Sequence, residues 1–547
     1  MINTLQLTFM DWLLITTVFI GVYSLLMLPL QSSEEWRRRG ITTWGPIPLA
    51  IFFRTTKGLK LLDRLSRPKR FWRVLASAGV PLVILSMVYF LAILLLMTYL
   101  MIQEPPEPSS YNAPRNILLI PGLNEYIPFV WGWIALFVTM VVHEFAHGIL
   151  SRVEGVRVKS MGIITFLVAP IAAFVEPDEV ELFGSKEKPP VVSKGARIRI
   201  LSAGVISNFL VAFVAMALFF GPVLSSIAPL DRVVAVDVED GSAGEIAGFQ
   251  DSMVLLEADG SDIHSLSELY GAMSDGRVEV MILNDDHQEL LSLKGNAVGG
   301  IKVASVFEGS PAAVAGMPAG AIIADIDGTK ISGLEDFRRY MNATHPGQKI
   351  AVTAGGGKIY QLTLETNPNN DDKGFMGIGF SGEAAYTDAV YIEGVTFQQA
   401  PAKQFLVALK AIPESGVAGF TYLLSLPFMG IPGFTEKGFP GFSGWITGVF
   451  EPTGLAEPLG HRFFWIANLL LWIGWINLYA GLFNCLPAVP LDGGHIFRDL
   501  VQSGFERVVN VQKAERLTRT VVALLAWLVL TSLLITVVAP FTHSLSL

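Results

Sequence analysis

The sequence is poor in cysteine and in charge. Its 547 residues include a single cysteine, Cys485, which excludes an intrachain disulfide framework. Only 16% of the residues are charged, against about 25% in ordinary soluble domains, whereas 51% are hydrophobic. Because the apolar residues fall in long runs, this composition indicates a membrane protein rather than a soluble globular one.

The few charges are unevenly distributed. Residues 231–383 hold 10 Lys/Arg against 24 Asp/Glu, although the whole chain carries a net charge of only -9. The remainder of the chain is therefore mildly basic. This asymmetry indicates an acidic soluble insert within a membrane protein, and the acidic surplus itself is interpreted as a solvated surface.

Several segments are apolar enough and long enough to cross a bilayer, which takes about 20 residues. The six predicted spans are Leu7–Leu30, Val74–Ile102, Ile127–Leu150, Ile200–Ile227, Phe464–Phe483 and Leu517–Pro540. The apolar stretch Met161–Val175 contains a proline and is too short to cross, so it is predicted to form a hairpin that dips into the membrane. The first span is not expected to be a cleaved signal peptide, because basic residues follow it rather than precede it.

Basic residues set the expected orientation. The loop Gln31–Arg73 holds 11 Lys/Arg and 3 Asp/Glu, so the positive-inside rule places it in the cytoplasm. Counting onward, the N-terminus, the acidic insert and the C-terminus lie outside the cytoplasm, and the basic stretch Arg498–Arg519 lies inside. The sequence therefore predicts a multi-pass α-helical protein of the cell membrane, with the lipid bilayer as a partner and no nucleic acid.

The insert resembles itself at an offset of 68 residues. Gly241-Ser242-Ala243 aligns with Gly309-Ser310-Pro311, and Asp259-Gly260 aligns with Asp327-Gly328. Each copy is expected to contain short strands, a small helix after the Gly-Ser, a turn at the Asp-Gly and a second helix. The insert is therefore predicted to consist of two α+β domains.

The third span contains His143, Glu144 and His147. Residues four apart lie on one helix face, so both imidazoles can bind one metal ion, and Glu144 is placed to act on a metal-bound water. Each ionisable residue in a span costs from about 2.5 kcal/mol upward, so three together favour a metal site over a polar cluster that only stabilises helix packing. Zinc suits this set, because catalytic zinc typically has three protein ligands and one open position.

The third ligand is expected after the fifth span, within the sequence NCLPAVPLDGGH at 484–495. Asp492 lies in an apolar setting and needs a partner, which a zinc ion provides. His495, three residues later, is the competing ligand. Prolines and glycines interrupt the helix here, and non-helical backbone at membrane depth is tolerated where it lines a protein-buried or watery cavity.

These motifs carry a family resemblance. HEFAH at 143–147, NCLPAVPLDGG at 484–494 and SAGVISN at 202–208 resemble the site-2 proteases, the intramembrane zinc proteases of peptidase family M50. The chain departs from the family at Val205, where a proline is frequent. The second copy in the insert resembles a PDZ domain, and the first copy does so less closely. The resemblance does not clearly extend to the first two spans, the 31–73 loop or residues 384–460.

Motifs, spans and repeats together divide the chain into regions. The predicted regions are 1–126 (two spans and a basic loop), 127–230 (first part of the catalytic membrane core), 231–296 and 297–383 (PDZ-like domains), 384–461 (amphipathic helix or gate) and 462–547 (second part of the core).

The resemblance implies an activity and roles for particular residues. It implies hydrolysis of peptide bonds within or next to the membrane segments of single-span substrates, with one Zn²⁺ held by His143, His147 and Asp492 and with Glu144 as the catalytic acid. Asn208 and Asn484 would lie near the substrate backbone or the metal, and hydrogen bonding between helices is their other interpretation. The hairpin would pair with an unwound substrate as an added strand. The PDZ domains would bind peptide C-termini or serve as a rigid spacer.

Three other functions compete with intramembrane proteolysis. A prenyl-protein-processing protease also carries H-E-x-x-H in a membrane helix, but it uses a Glu-based third ligand and has no PDZ pair. A metal transporter should place ionisable residues along several spans, whereas here they concentrate in two. An inactive PDZ-bearing scaffold would be expected to have lost Glu144.

Overall fold

The structure is a computed structural model, and it divides into two compact units, residues 1–218 with 469–547 and residues 219–468. The first predicted span, Leu7–Leu30, lies for the most part outside the described residues. The residues that the structure describes are 18, 21–28, 33–43, 50–109, 112–117, 119–166, 169–185, 187–284, 287–380, 387–429 and 438–542.

Long helices dominate the first unit and short ones the second. The helices are α1 (Glu34–Arg38), α2 (Leu59–Leu65), α3 (Lys69–Gln103), α4 (Pro114–Ile117), α5 (Phe129–Glu154), α6 (Glu179–Phe183), α7 (Lys194–Leu218), α8 (Ala243–Ile246), α9 (Leu266–Ala272), α10 (Pro311–Val314), α11 (Leu334–Asn342), α12 (Ala402–Ala411), α13 (Gly416–Met429), α14 (Arg462–Asn484), α15 (Asp492–Phe505) and α16 (Val511–Val538).

Five helices within the described part of the chain are long and apolar enough to cross a membrane. They are α3, α5, α7 with its continuation to Val223, α14, and α16 with its continuation to Phe541. These five coincide with the second to sixth predicted spans, so the chain is a multi-pass membrane protein. The helix α5 ends where Gly155 adopts φ +92°, a left-handed conformation that glycine reaches without strain.

A small antiparallel sheet lies beside α5 in the first unit. It consists of β1 (Ile41–Thr43), β2 (Ala50–Thr55), β3 (Val158–Phe166) and β4 (Ala169–Pro177), in that order across the sheet. The strands β3 and β4 form the hairpin that the sequence predicts around Met161–Val175. Because β2 pairs with β3 on one side, β4 is an edge strand of the described sheet.

The second unit contains a large antiparallel sheet and several short pairs. Its strands are β5 (Ile227–Pro229), β6 (Val233–Val238), β7 (Val254–Ala258), β8 (Ser261–Asp262), β9 (Arg277–Asn284), β10 (His287–Lys294), β11 (Val298–Lys302), β12 (Ser305–Val306), β13 (Ile322–Ile326), β14 (Thr329–Lys330), β15 (Lys349–Ala354), β16 (Ile359–Thr363), β17 (Glu365–Asn367), β18 (Asn370–Phe375), β19 (Ile378–Gly379), β20 (Asp388–Ile392), β21 (Val395–Gln399) and β22 (Phe450–Pro452). The large sheet has the order β10-β9-β7-β6-β21-β20-β11-β13-β15-β16, with β8 on β7 and β14 on β13.

The sequence repeat is also a structural repeat. Ser242 caps α8 by accepting from the Glu245 N–H, and Ser310 caps α10 by accepting from the Ala313 N–H. Both Asp-Gly turns have positive φ at both positions. Helices α9 and α11 follow these turns at matching places. We name the first copy repeat 1 and the second copy repeat 2.

The second repeat is inserted into the first. In repeat 2 the Phe307 N–H donates to the carbonyl of Gly377, within the same copy. The equivalent bond in repeat 1 runs from the Glu239 N–H to Gly394, which follows repeat 2 in the chain. Four residues of β20 and β21 also pack in the core of repeat 1: Val390, Ile392, Val395 and Phe397.

This nesting moves a boundary. The sequence assigns residues after 383 to an amphipathic or gating region, whereas β20 and β21 extend the sheet to Gln399. The rest of that region contains α12, which buries Phe405, Leu406 and Leu409 on one face. The Phe405 ring lies 5.0 Å from that of Phe439, so α12 is amphipathic and packs its apolar face within the second unit.

Candidate metal site

One membrane helix and the start of a second helix bring the predicted ligands together. His143 and His147 lie one turn apart on α5, and their Nε2 atoms are 3.0 Å apart. Asp492 is the first residue of α15, and its Oδ2 lies 3.1 Å from His143 Nε2 and 3.3 Å from His147 Nε2. All three ligand atoms lie within 4.8 Å of one another, which is close enough for one ion.

Neighbouring groups orient the two imidazoles. His147 Nδ1 donates to the carbonyl of Ile200 over 2.8 Å. This leaves Nε2 unprotonated, with a lone pair that can bind a metal. The amide of the buried Asn208 lies 3.1 Å from His143 Nδ1. Rotation of that amide by 180° would let its Oδ1, which has no hydrogen-bond partner, accept the His143 Nδ1 proton. His143 Nε2 would then be free in the same way.

The residues fit a zinc ion. Asp492 Oδ2 is buried and, despite its two close imidazoles, accepts no well-aligned hydrogen bond. A buried carboxylate oxygen is unfavourable unless a cation or a donor compensates its charge. Two imidazole nitrogens and one carboxylate oxygen are a zinc ligand set that leaves a fourth position open.

Gly204 allows α7 to approach the site. A Cβ atom at this position would lie 2.5 Å from His143 Cε1 and 2.5 Å from His147 Nε2. No side chain fits at such distances, so this contact requires glycine. Gly204 belongs to the SAGVISN motif, and its role follows from a packing contact that the motif alone does not reveal.

Glu144, next to His143 on α5, contacts the edge strand β4. Its Oε2 accepts a hydrogen bond of 2.9 Å from the N–H of Val175 in β4. The Val175 N–H therefore points away from β3, and the Glu144 carboxylate lies at the unpaired edge of the described sheet. Glu144 therefore connects the helix that carries both histidines to the open edge of β4.

The position of Asp492 depends on close backbone packing. A Cβ on Gly493 would lie 2.2 Å from the Cys485 carbonyl oxygen, so glycine lets α15 begin directly against the preceding loop. Two turns later Asp499 accepts two hydrogen bonds from Arg197 of α7, one of them 2.7 Å long. Both residues are buried, and this ion pair fixes α15 against the helix that carries Gly204.

Two predicted or competing residues lie apart from this cluster. His495 is outside the group of three ligand atoms, and its ring packs 5.1 Å from that of Phe183. Asn484 is the last residue of α14 and is half-buried. Among the described residues its side chain makes no hydrogen bond to the candidate ligands. Its role in substrate binding stays a prediction.

The fold and the site define a multi-pass membrane protein with a candidate metal site on its membrane helices. Residues 131–528 match Peptidase family M50, and the chain belongs to that family. The match includes both halves of the site and the whole second unit.

Relatives in other organisms share parts of the chain. An uncharacterized protein of Methanocaldococcus jannaschii is 30% identical over 39% of this chain, and a "putative zinc metalloprotease" of Clostridium perfringens is 29% identical over 37%. The chain spans about half the length of each of these two relatives, 53% in both cases. A "putative zinc metalloprotease" of Vibrio cholerae is 24% identical over 71% of this chain and 92% of its own length.

Among the solved structures with similarity to this chain is a single domain that matches a small part of it. The PDZ domain of an SdrC-like protein from Listeria innocua is 25% identical, covers 15% of this chain and 91% of its own, and has a TM-score of 0.13.

Proposed function

We propose that this protein is a zinc metalloendopeptidase that cleaves single-span membrane proteins within or next to their transmembrane segments. The observation that supports this most is the cluster of His143, His147 and Asp492, with Glu144 beside it on a membrane helix. Membership of Peptidase family M50 supports the same reaction class.

The residues divide the chemistry between them. His143, His147 and Asp492 would hold one Zn²⁺, which when bound polarises a carbonyl and lowers the pKa of water to about 7. Glu144 would take a proton at its carboxylate and pass it to the leaving nitrogen. Ile200 and Asn208 would keep the imidazoles in the tautomer that binds metal.

The edge strand β4 would hold the substrate. A transmembrane helix keeps its carbonyls in internal hydrogen bonds, so the substrate must unwind before it can be cleaved. When an unwound segment adds to β4, one of its backbone carbonyls would accept the hydrogen bond from the Val175 N–H in place of Glu144. This exchange would release the Glu144 carboxylate for proton transfer. Substrates with glycine or proline near the cleaved bond should therefore be favoured.

Repeats 1 and 2 would act as PDZ-like domains that select substrates by binding peptide ends. Their matching caps and Asp-Gly turns support one shared fold. The charge pattern supports a location outside the cytoplasm for the repeats and for both chain termini. A rigid spacer that binds no peptide is the competing role.

The central test is Glu144→Gln in the purified full-length protein, with zinc content and cleavage of a single-span substrate measured together. Zinc should be retained while cleavage falls by roughly 10²- to 10⁴-fold, since only the proton carrier is lost. Glu179→Gln, the same change at an exposed site on α6, should cleave normally. Undiminished cleavage by Glu144→Gln would show that the base is assigned wrongly.

A second pair of variants tests the third ligand. Asp492→Asn should lose zinc, and His495→Ala should keep it, because only Asp492 lies within reach of both imidazoles. Loss of zinc from His495→Ala alone would transfer the ligand role to that residue.

A further inference from the structure

A cavity lies behind the metal helix, on the side turned away from the candidate ligands. It has a volume of about 390 Å³ and is bounded by α3, α5 and α7. Its lining on α5 includes Val142, Phe145 and Ile149. At 100° per residue these lie about 150° around the helix from the two histidines. The cavity is therefore separate from the site described above.

The lining of this cavity is apolar in practice. Two lining side chains carry polar groups, Trp72 and Ser207, and both already have partners within the protein. Trp72 Nε1 donates to the carbonyl of Leu65 over 2.7 Å, and Ser207 Oγ donates to that of Gly204 over 2.7 Å. The cavity thus offers contacts to hydrocarbon and no free polar group.

The length of the cavity matches that of one acyl chain in a bilayer leaflet. The lining on α5 runs from Val141 to Leu150, a rise of about 14 Å. This is about half the hydrocarbon thickness of a bilayer, so the cavity is about as long as one leaflet is thick.

Ionic residues close one end of the cavity. Glu154 and Arg199 each lie one turn beyond the last lining residue of their own helix, and Arg73 directly follows the lining residue Trp72. Arg73 Nε is 3.3 Å and Arg199 Nε 2.9 Å from the same Glu154 carboxylate oxygen. Glu154 is nearly buried, with 6% of its side chain exposed. Two cations on one carboxylate leave a positive charge at this end.

Further cations surround the same end. Leu65 lines the cavity, and three arginines lie close to it in sequence: Arg64 at the end of α2, Arg67 in the connection that follows, and Arg70 at the start of α3. All three are exposed and form no ion pair within the described part of the chain. The apolar cavity therefore opens beside a basic surface, which is the arrangement that binds anionic lipid headgroups between membrane helices.

We propose that this cavity, which we name the acyl groove, binds one acyl chain of an anionic phospholipid. The lipid phosphate would lie among the arginines at its basic end, on the side that the positive-inside rule places in the cytoplasm. The proposal does not depend on the proteolytic activity.

Native mass spectrometry of the full-length protein tests whether the groove prefers an anionic headgroup. Phosphatidylglycerol and phosphatidylcholine with the same chains are offered in equal amounts, and one phosphatidylglycerol should be retained preferentially. Arg67→Gln with Arg70→Gln should weaken its binding roughly tenfold or more, because the protein loses two positive charges that would attract the headgroup. Lys513→Gln with Arg516→Gln removes equal charge from exposed residues of α16 and should have no such effect.

A variant that fills the groove tests whether it binds the acyl chain of the lipid. Ala76 is buried against the cavity, and Ala76→Phe should abolish retention of the lipid. If this variant does not fold, the exposed arginine pair still decides the matter. Equal retention of both lipids, equal behaviour of the two charge variants, or competition by inorganic phosphate at the lipid's own concentration would each overturn the proposal.

Discussion

At the scale of single residues, the absence of a side chain can matter as much as its presence. The two imidazoles and α7 approach each other so closely that Gly204 has no room for even one carbon atom. The same helix contains Gly195, where a Cβ would meet nothing nearer than 3.9 Å. The two positions therefore separate the effect of crowding the site from the general effect of replacing a helical glycine.

The Gly204→Ala variant should bind zinc more weakly by roughly 10- to 100-fold, because the added methyl group displaces both imidazoles. Gly195→Ala should keep its zinc, and its helix should gain stability from the better helix former. Zinc per protein, measured by mass spectrometry after dialysis against a chelator, distinguishes them. Equal zinc in both variants would mean that the helices separate without harm to the site.

At the scale of elements, the edge strand β4 contacts Glu144, the residue proposed to carry the proton. Hydrogen-bonding groups of a strand alternate in direction, so the N–H of Ala173 points to the same open edge as that of Val175. A proline there removes an outward donor without breaking a bond to β3. This makes Ala173 a position at which strand addition can be tested apart from metal binding.

Ala173→Pro should abolish cleavage of a single-span substrate while zinc content stays at the wild-type level, because an added strand loses one of its donors. Ala173→Val keeps the N–H and should cleave nearly as well as the natural protein. Cleavage rates with a fixed amount of substrate in detergent provide the comparison. If the proline variant cleaves as fast as the valine variant, the substrate does not add to this edge.

At the scale of the whole molecule, the nested repeats predict which segments can be removed. The Lys302 N–H donates to the Thr387 carbonyl over 2.7 Å, so the two ends of repeat 2 meet inside the large sheet. Replacement of residues 303–386 by a two-residue turn should leave repeat 1 folded. Deletion of 387–399 should unfold it, because the closing strand and four core residues are lost.

Hydrogen exchange in residues 231–296 measures both outcomes. Full protection after removal of 387–399 would contradict the nesting. The variant without repeat 2 also tests its proposed role, since cleavage of a panel of substrates should become less selective while zinc remains bound. Unchanged selectivity would favour a spacer.

Orientation can be tested with introduced cysteines, because the one natural cysteine, Cys485, is buried. In a Cys485→Ala background, Glu308→Cys in repeat 2 should react with a membrane-impermeant maleimide in intact cells. Lys57→Cys in the basic loop should react only after the membrane is opened, since the charge pattern places that loop in the cytoplasm. The reverse pattern of labelling would invert the topology.

The sequence by itself determined what depends on near neighbours along the chain. A four-residue spacing places His143 and His147 on one helix face, and long apolar runs define five helices. An offset of 68 residues defines two similar domains. Each of these patterns is local, because helix periodicity and hydrophobic length act over a few turns.

Tertiary structure alone decided which distant groups meet. It brought the predicted ligand Asp492, and not the competing His495, beside the imidazoles, placed Gly204 against them, and joined Glu144 to the edge of β4. It also closed repeat 1 with strands that follow repeat 2. These contacts depend on how whole helices and strands pack, and close packing between remote segments leaves no periodic pattern in the sequence.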